Sequence, residues 1–399
     1  MTSRLTIEDV EISGRRALVR VDYNVPFQEG TSIISDDTRI KASIPTLRHL
    51  IDKGCSLVLC SHLGRPKGKR DPQLSLKPIA KRLSKILEQE VQFVEDCVSE
   101  SAAAAASKLG KGEILLLENL RFHRGEEENN LAFAKQLSEL AEVYINDAFG
   151  AAHRAHASIL GITKFLPSYA GLLLDKEVNY LENALSHPKL PFTAILGGAK
   201  VSDKIKVMDR IAKIADNICI GGGMAATFLA ASNKEIGNSS IEADFISQAQ
   251  TLLNENDPTN ANLILPIDVV VVKTFQKDSD FLAKSAGDLD YDDIIVDIGP
   301  TTADYYSSII QKSNTILWNG PMGVYEWEKA SAGTHSVAKA LANGNMLSII
   351  GGGSTVDAVN FFGLQAQMTH ISTGGGASLE LLEGRELPGV VSLREKTKG

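Results

Sequence analysis

The sequence predicts an α/β fold of two domains, each built around a parallel sheet, and three features of the 399-residue chain carry that reading. Short Val/Ile/Leu-rich runs recur along it, each followed by a Gly-, Asn- or Pro-containing loop and then an amphipathic segment, the pattern of strands covered by helices. A composition of 43% hydrophobic and 23% charged residues is enough for two buried cores. The chemistry of the loops after the strands also changes midway, from Asp, Asn, His and Arg to glycine.

Taken in order, the first half places strands near Ala17–Val21, Ser56–Cys60, Glu113–Leu117 and Glu142–Ile145. A helix starts at Pro78, a favoured first helical residue, with Ile79, Leu83, Ile86 and Leu87 on one face. Residues 170–187 read as a connecting helix, with Leu174, Val178, Leu181 and Leu185 at helical spacing and His187 and Pro188 closing it. The second half places strands near Thr193–Leu196, Asn217–Ile220, Leu263–Leu265, Ile294–Asp297, Thr315–Trp318, Met346–Ile350 and His370–Ser372. The expected domains are therefore residues 1–169 and 188–376, with 377–399 as a terminal segment.

A net charge of -8 argues against sequence-independent nucleic-acid binding, which needs a basic surface. No apolar run reaches the length of a bilayer, and the first residues lack the apolar core of a secretory signal. A cytoplasmic location is the expectation. Cys55, Cys60, Cys97 and Cys219 form no CxxC pair and read as reduced, packed thiols. Basic residues nonetheless concentrate between positions 20 and 156, where Arg20, Arg39, Arg65, Arg121, Arg124 and Arg154 lie near strand ends. That clustering suggests a focused cationic site on an acidic protein.

Ligands of open parallel sheets bind at the carboxyl ends of the strands, so these loops are the candidate sites. The first carries Arg20, Asp22 and Asn24 on one face before Pro26, a set that could equally be a structural ion pair with a turn cap. The next carry Ser61, His62, Gly64 and Arg65; then Glu118, Asn119, Arg121 and His123; then Asn146, Asp147, His153, Arg154 and His156. Arginine suits bidentate capture of carboxylate and phosphate oxygens, so four such loops imply a compact anion bearing both. His49, His187, Lys67, Lys69 and Arg70 read as solvated surface charges.

In the second half Gly197–Gly198 leads to Lys200, Asp203 and Lys204, the two lysines being spaced to share a helical face near a helix start, where free amides favour polyphosphate. Gly351–Gly353 with Ser354 and Thr355, and Gly374–Gly376, are further strand-to-helix turns that can aim amides at phosphate. Gly221–Ala226 formally fits a dinucleotide fingerprint, but Asn233–Glu242 is polar and offers no second strand. No complete Walker A motif is present: Gly64–Lys69 is followed by Arg70.

Taken together, RVDYNVP, SHLGRP, LLENLRFHRGEEE, NDAFGAAHRAHAS, LGGAKVSDK, WNGPMGVYEWE and STGGGASLELLEG closely resemble the phosphoglycerate kinase family, in order and nearly end to end. The resemblance implies two Rossmann-like domains facing each other across a hinged cleft, a monomer, and reversible phosphoryl transfer between 1,3-bisphosphoglycerate and ADP giving 3-phosphoglycerate and ATP. It implies an acid-substrate site of Asp22, Asn24, Arg39, His62, Arg65, Arg121 and Arg154. It implies a nucleotide site of Gly198, Lys200, Lys204, Gly222, Pro321, Gly323, Glu326, Gly352, Gly353, Ser354 and Thr355. Arg39, Lys200 and the amides around Gly375 would stabilise the transferring group, and the segment after Gly376 would return to the N-terminal domain. Mg2+ accompanies the nucleotide, yet the family's usual Asp is Ser354 here. The weaker hydroxyl leaves the metal ligands open between the phosphates with water, Ser354, Asp203 and Asp357. Another ATP-dependent carboxylate kinase, a two-lobed binding protein and an NAD dehydrogenase are the competing readings.

Overall fold

A computed structural model describes residues 4–254 and 260–393. Strands β1 (Arg16–Arg20), β2 (Ser56–Cys60), β3 (Val91–Val94), β4 (Ile114–Leu117), β5 (Val143–Asn146) and β6 (Ser168–Ala170) form a six-stranded sheet in the order β3-β4-β2-β1-β5-β6. All its pairings are parallel, with Ala17 of β1 opposite both Leu57 and Val143. Buried on both faces, β2 and β4 are nearly continuous apolar runs, as a helix-covered sheet requires. Leu47 and Leu50 of helix Thr38–Asp52 and Ile79 and Leu83 of helix Lys77–Leu87 seal one face.

The second parallel sheet has the order β15-β14-β13-β7-β8-β9. Its strands are β7 (Phe192–Leu196), β8 (Asn217–Ile220), β9 (Asn262–Ile264), β13 (Thr315–Asn319), β14 (Leu347–Gly351) and β15 (His370–Ile371). Trp318, Tyr306 and Ile350 anchor its core, and the buried Tyr306 hydroxyl reaches the Ile220 carbonyl at 2.7 Å. Strands β10 (Asp268–Val272), β11 (Leu282–Ser285) and β12 (Ile294–Ile298) form a separate antiparallel sheet.

Two expectations change. The run at 294–297 does not join the parallel series, because an apolar run carries no record of the direction of its partner. β3, β6, β10 and β11 were not expected; β3 and β11 are part-exposed, and β6 has only three residues. Helix Leu172–Ser186 falls within the expected connecting segment.

The chain divides into one unit of Met1–Asn179 with Glu386–Gly399 and another of Tyr180–Arg385. Residues 377–385, expected in the returning segment, stay with the second unit: Arg210 Nη1 donates to the Leu381 carbonyl at 3.1 Å. Short helix Pro388–Val391 belongs to the first, where Gly389 N–H donates to Ala152 O and accepts from Asn146 Nδ2 at its carbonyl.

Candidate active site

In the first unit the carboxyl ends of β1, β2, β4 and β5 present the predicted loops together. Asp22 binds Arg39 Nη1 at 3.0 Å, and the same nitrogen donates to the Asn24 carbonyl at 3.2 Å. The Asn24 side-chain oxygen accepts from Gly64 N–H at 2.9 Å, while Arg121 Nη1 donates to the Gly64 carbonyl at 2.7 Å. Loops after three strands are thus tied through one glycine. Asn119 locks the third loop by donating to Leu63 O and Leu74 O and accepting from Arg121 N–H.

Arg20 does not pair with Asp22. It is fully buried, donating from Nε to Ser158 Oγ at 2.9 Å and from Nη2 to His62 Nδ1 at 3.0 Å. Ser158 is held by Glu126, which accepts its hydroxyl at 2.6 Å and its amide at 2.9 Å. A guanidinium cannot accept, so His62 Nδ1 carries the lone pair. Burial, then Arg20, Arg121 and Arg154, hold the His62 pKa well below its ordinary value, so the ring is neutral with its proton on Nε2. Burial, then Arg121, lowers His156 to about 3. Burial, then Arg154, lowers Arg121 to about 10, which still leaves it charged at neutral pH. Arg121 Nη2 is buried without a hydrogen-bond partner among the described residues, and its Nε stands 3.5 Å from Glu127 without hydrogen-bond geometry. The loops therefore crowd mutually repelling cations around a donor-rich face. Arg65 is exposed, with no ion-pair partner among the described residues. His123 departs from the group, its Nε2 lying 2.6 Å from Asp96.

The second unit builds its face from backbone. Gly198 N–H donates to Pro321 O and its carbonyl accepts from Met224 N–H; Gly222 N–H donates to Met322 O. Gly222 has φ +65°, and a Cβ there would strike the Gly198 backbone, so only glycine fits this crossing. Lys204 is buried and donates to Asn319 Oδ1 at 2.6 Å; burial lowers its pKa. Thr355 is also buried, its hydroxyl accepting from Gly320 N–H at 2.6 Å, and a Cβ on Gly352 would meet Asn319. Gly323 packs on buried Asp297, whose carboxylate takes the Gly333 N–H at 2.8 Å. Gly375, at φ +51°, precedes helix Gly376–Leu382.

One expectation fails locally. Lys200 and Lys204 do not share a helical face, because Val201–Lys204 is a turn and the helix begins at Ile205. Lys200 is exposed just before that turn, and Glu326, Gly353 and Ser354 are exposed in their own segments. Asn319 was missed: its Nδ2 is buried without a partner among the described residues, a donor ready for an anion. Glu126 was missed too, since an acid in a Glu run reads as solvated. For Asn319 the only sequence signal was its place at the end of β13.

The family model for phosphoglycerate kinase matches residues 7–385. The chain belongs to the phosphoglycerate kinase family. It is 48% identical over 394 residues to the phosphoglycerate kinase of Herpetosiphon aurantiacus, covering 99% of this chain and 100% of the relative. The same figures describe that of Moorella thermoacetica. The phosphoglycerate kinase structure from Coxiella burnetii superposes with a TM-score of 0.88 at 37% identity, covering 98% of both chains. That from Pyrococcus horikoshii gives 0.84 at 32%, again over 98% of each. The family match spans Gly221–Ala226, and Asn233–Glu242 holds no strand, which together overturn the dehydrogenase reading. As a phosphoglycerate kinase, the chain is a phosphotransferase with a carboxyl acceptor, reversibly passing a phosphoryl group between 1,3-bisphosphoglycerate and ADP to give 3-phosphoglycerate and ATP.

Proposed function

We propose that the first unit's loops hold the acid substrate through Asp22, Asn24, Arg39, His62, Arg65, Arg121 and Arg154, and that the second unit's loops hold the nucleotide. The observation that carries this reading is Arg121, whose Nη2 is buried without a hydrogen-bond partner among the described residues and which Arg154 and Arg20 crowd with like charge, a strain that a substrate bearing carboxylate and phosphate relieves. Arginines take its oxygens bidentately, and His62 donates from Nε2 without adding charge. Within that set, Asp22 also orients Arg39 through their ion pair.

On the nucleotide side, Lys204 and Asn319 Nδ2 face the phosphates, and Gly352, Gly353 and Ser354 open a helix toward them. Gly198, Gly222, Pro321 and Thr355 shape the loops through bonds already made, so their role is to hold the surface. Glu326, with Gly323 at the base of its loop, meets the ribose. Lys200, Arg39 and the Gly375 turn compensate charge on the transferring group, for which no covalent nucleophile is required.

Mg2+ fits this donor set as a nucleotide-held ion. Ser354 and Asp357 are exposed oxygen donors about one helical turn apart, Asp203 is exposed as well, and neither Asp357 nor Asp203 belongs to a three-donor group of His, Cys, Asp or Glu among the described residues. Ser354, Asp357 or Asp203 would hold the ion beside the phosphates, where it would neutralise their charge. The four free, buried thiols agree with action in the cytoplasm.

The test is a coupled assay with Mg-ATP and 3-phosphoglycerate beside Lys200→Ala and a panel of small acids. Turnover confined to 3-phosphoglycerate and suppressed in the variant supports these roles. Undiminished turnover in the variant removes Lys200 from the chemistry.

A further inference from the structure

Away from these loops, the first unit contains a cavity of about 850 Å³ between segment 32–41 and segment 72–85. No residue of the candidate acid-substrate site lines it except through chain continuity: Asp37 and Lys41 line the cavity, while Arg39 turns to Asp22. Five cations and two carboxylates face the cavity. Both acids are already engaged. Asp37 binds Lys41 at 2.8 Å and Arg82, and Asp36 accepts from the Thr38 amide at 2.8 Å and hydroxyl at 2.6 Å.

Lys77, Lys81 and Lys85 remain. They lie four residues apart along helix Lys77–Leu87, forming one exposed stripe opposite buried Ile79 and Leu83, and none has an ion-pair partner among the described residues. Four residues of α-helix advance the backbone by about 6 Å, so the three stems leave the helix at that spacing. Such a row is unfavourable for a bare helix. Like charges at this spacing repel, and Lys77 sits in a first turn that holds no acid, where the helix dipole opposes a cation. Glu118 accepts the Leu76 amide from behind the turn but is buried and does not line the cavity. On a chain of net charge -8, an uncompensated basic row bordering a cavity of small-molecule size calls for a multivalent anion. The long, flexible lysine stems can converge on a string of phosphoryl groups, and exposed Ile33 with Pro78 forms an apolar edge beside them.

We infer that this cavity is a second anion site, taking a polyphosphate group along Lys77, Lys81 and Lys85. The inference does not depend on the roles assigned to the substrate loops. It is tested on the full chain by limited acetylation of amines with ATP, inorganic tripolyphosphate or sodium chloride of equal ionic strength. Peptide mass spectrometry then reads each lysine. Protection of Lys77, Lys81 and Lys85, with exposed Lys135 and Lys164 of the same unit unchanged, is the expected result. Protection by both polyphosphates means that the phosphates suffice; protection by ATP alone means that the nucleoside uses the apolar edge. The double variant Lys81→Gln/Lys85→Gln should bind the protecting anion about ten-fold more weakly with kcat/KM for phosphoryl transfer unchanged. Absence of protection, equal protection by sodium chloride, or unaltered affinity in the double variant would overturn the site.

Discussion

The two units meet phosphate chemistry in opposite ways. In the first, charged side chains converge from four loops and a buried scaffold of Arg20, Ser158 and Glu126 fixes them. In the second, glycines cross one another so closely that backbone forms the surface, and Lys204 is the main buried cation. A side-chain site discriminates by the shape and charge of a small acid. A backbone site accepts phosphates wherever amides can reach them. The first should therefore be sensitive to loss of charge balance, and the second to loss of the few cations it contains.

The largest expected effect is on the second unit. Lys200→Ala should lower kcat by about 10²–10³-fold with little change in KM for either substrate, as steady-state kinetics would show. A variant altered chiefly in KM would move Lys200 from the transferring group to ground-state binding. Next, Glu126→Gln should cost about 2–4 kcal/mol in urea unfolding, because Arg20 and Ser158 lose the carboxylate that balances them in a buried setting. It should also raise KM for the acid while leaving KM for ATP unchanged, which separates the units.

Each unit also buries one carboxylic acid raised to about 7 by desolvation, Asp147 and Asp297. Asp147 Oδ1 accepts from Leu173 N–H at 2.9 Å, and Asp297 accepts from Ile298 and Gly333 N–H. Between the unfolded value near 4 and the folded value near 7, the folded state binds more protons, so stability falls as pH rises through that window. Unfolding followed against pH should show this slope, and Asp147→Asn and Asp297→Asn should each remove part of it. A slope unaffected by both substitutions would place its origin elsewhere. The smallest effect belongs to Arg65→Ala: because Arg65 is exposed and has no ion-pair partner among the described residues, its loss should raise KM for the acid about ten-fold with kcat nearly intact and stability within about 0.5 kcal/mol.

Much of this was legible in the residues. Apolar runs such as Leu57–Cys60 and Ile114–Leu117 announce buried parallel strands, because a strand covered on both faces has no polar side to show. The Gly-rich turns were legible for a related reason: only glycine fits where Gly222 approaches Gly198. The small antiparallel sheet was not, since Ile294–Ile298 reads the same beside a parallel or an antiparallel neighbour.

The sequence by itself determined the class of fold, the position of the loops, and an excess of arginine and histidine where an anion must sit. Tertiary structure alone decided how those side chains are used: Arg20 buried behind His62 instead of paired with Asp22, Arg39 paired with Asp22 in its place, and Lys204 buried on Asn319 while Lys200 stays exposed. The reason is range. Periodicity and turn chemistry are local and survive in one dimension, whereas the partner of a charge lies tens to hundreds of residues away and is fixed only when strands take their order in the sheet.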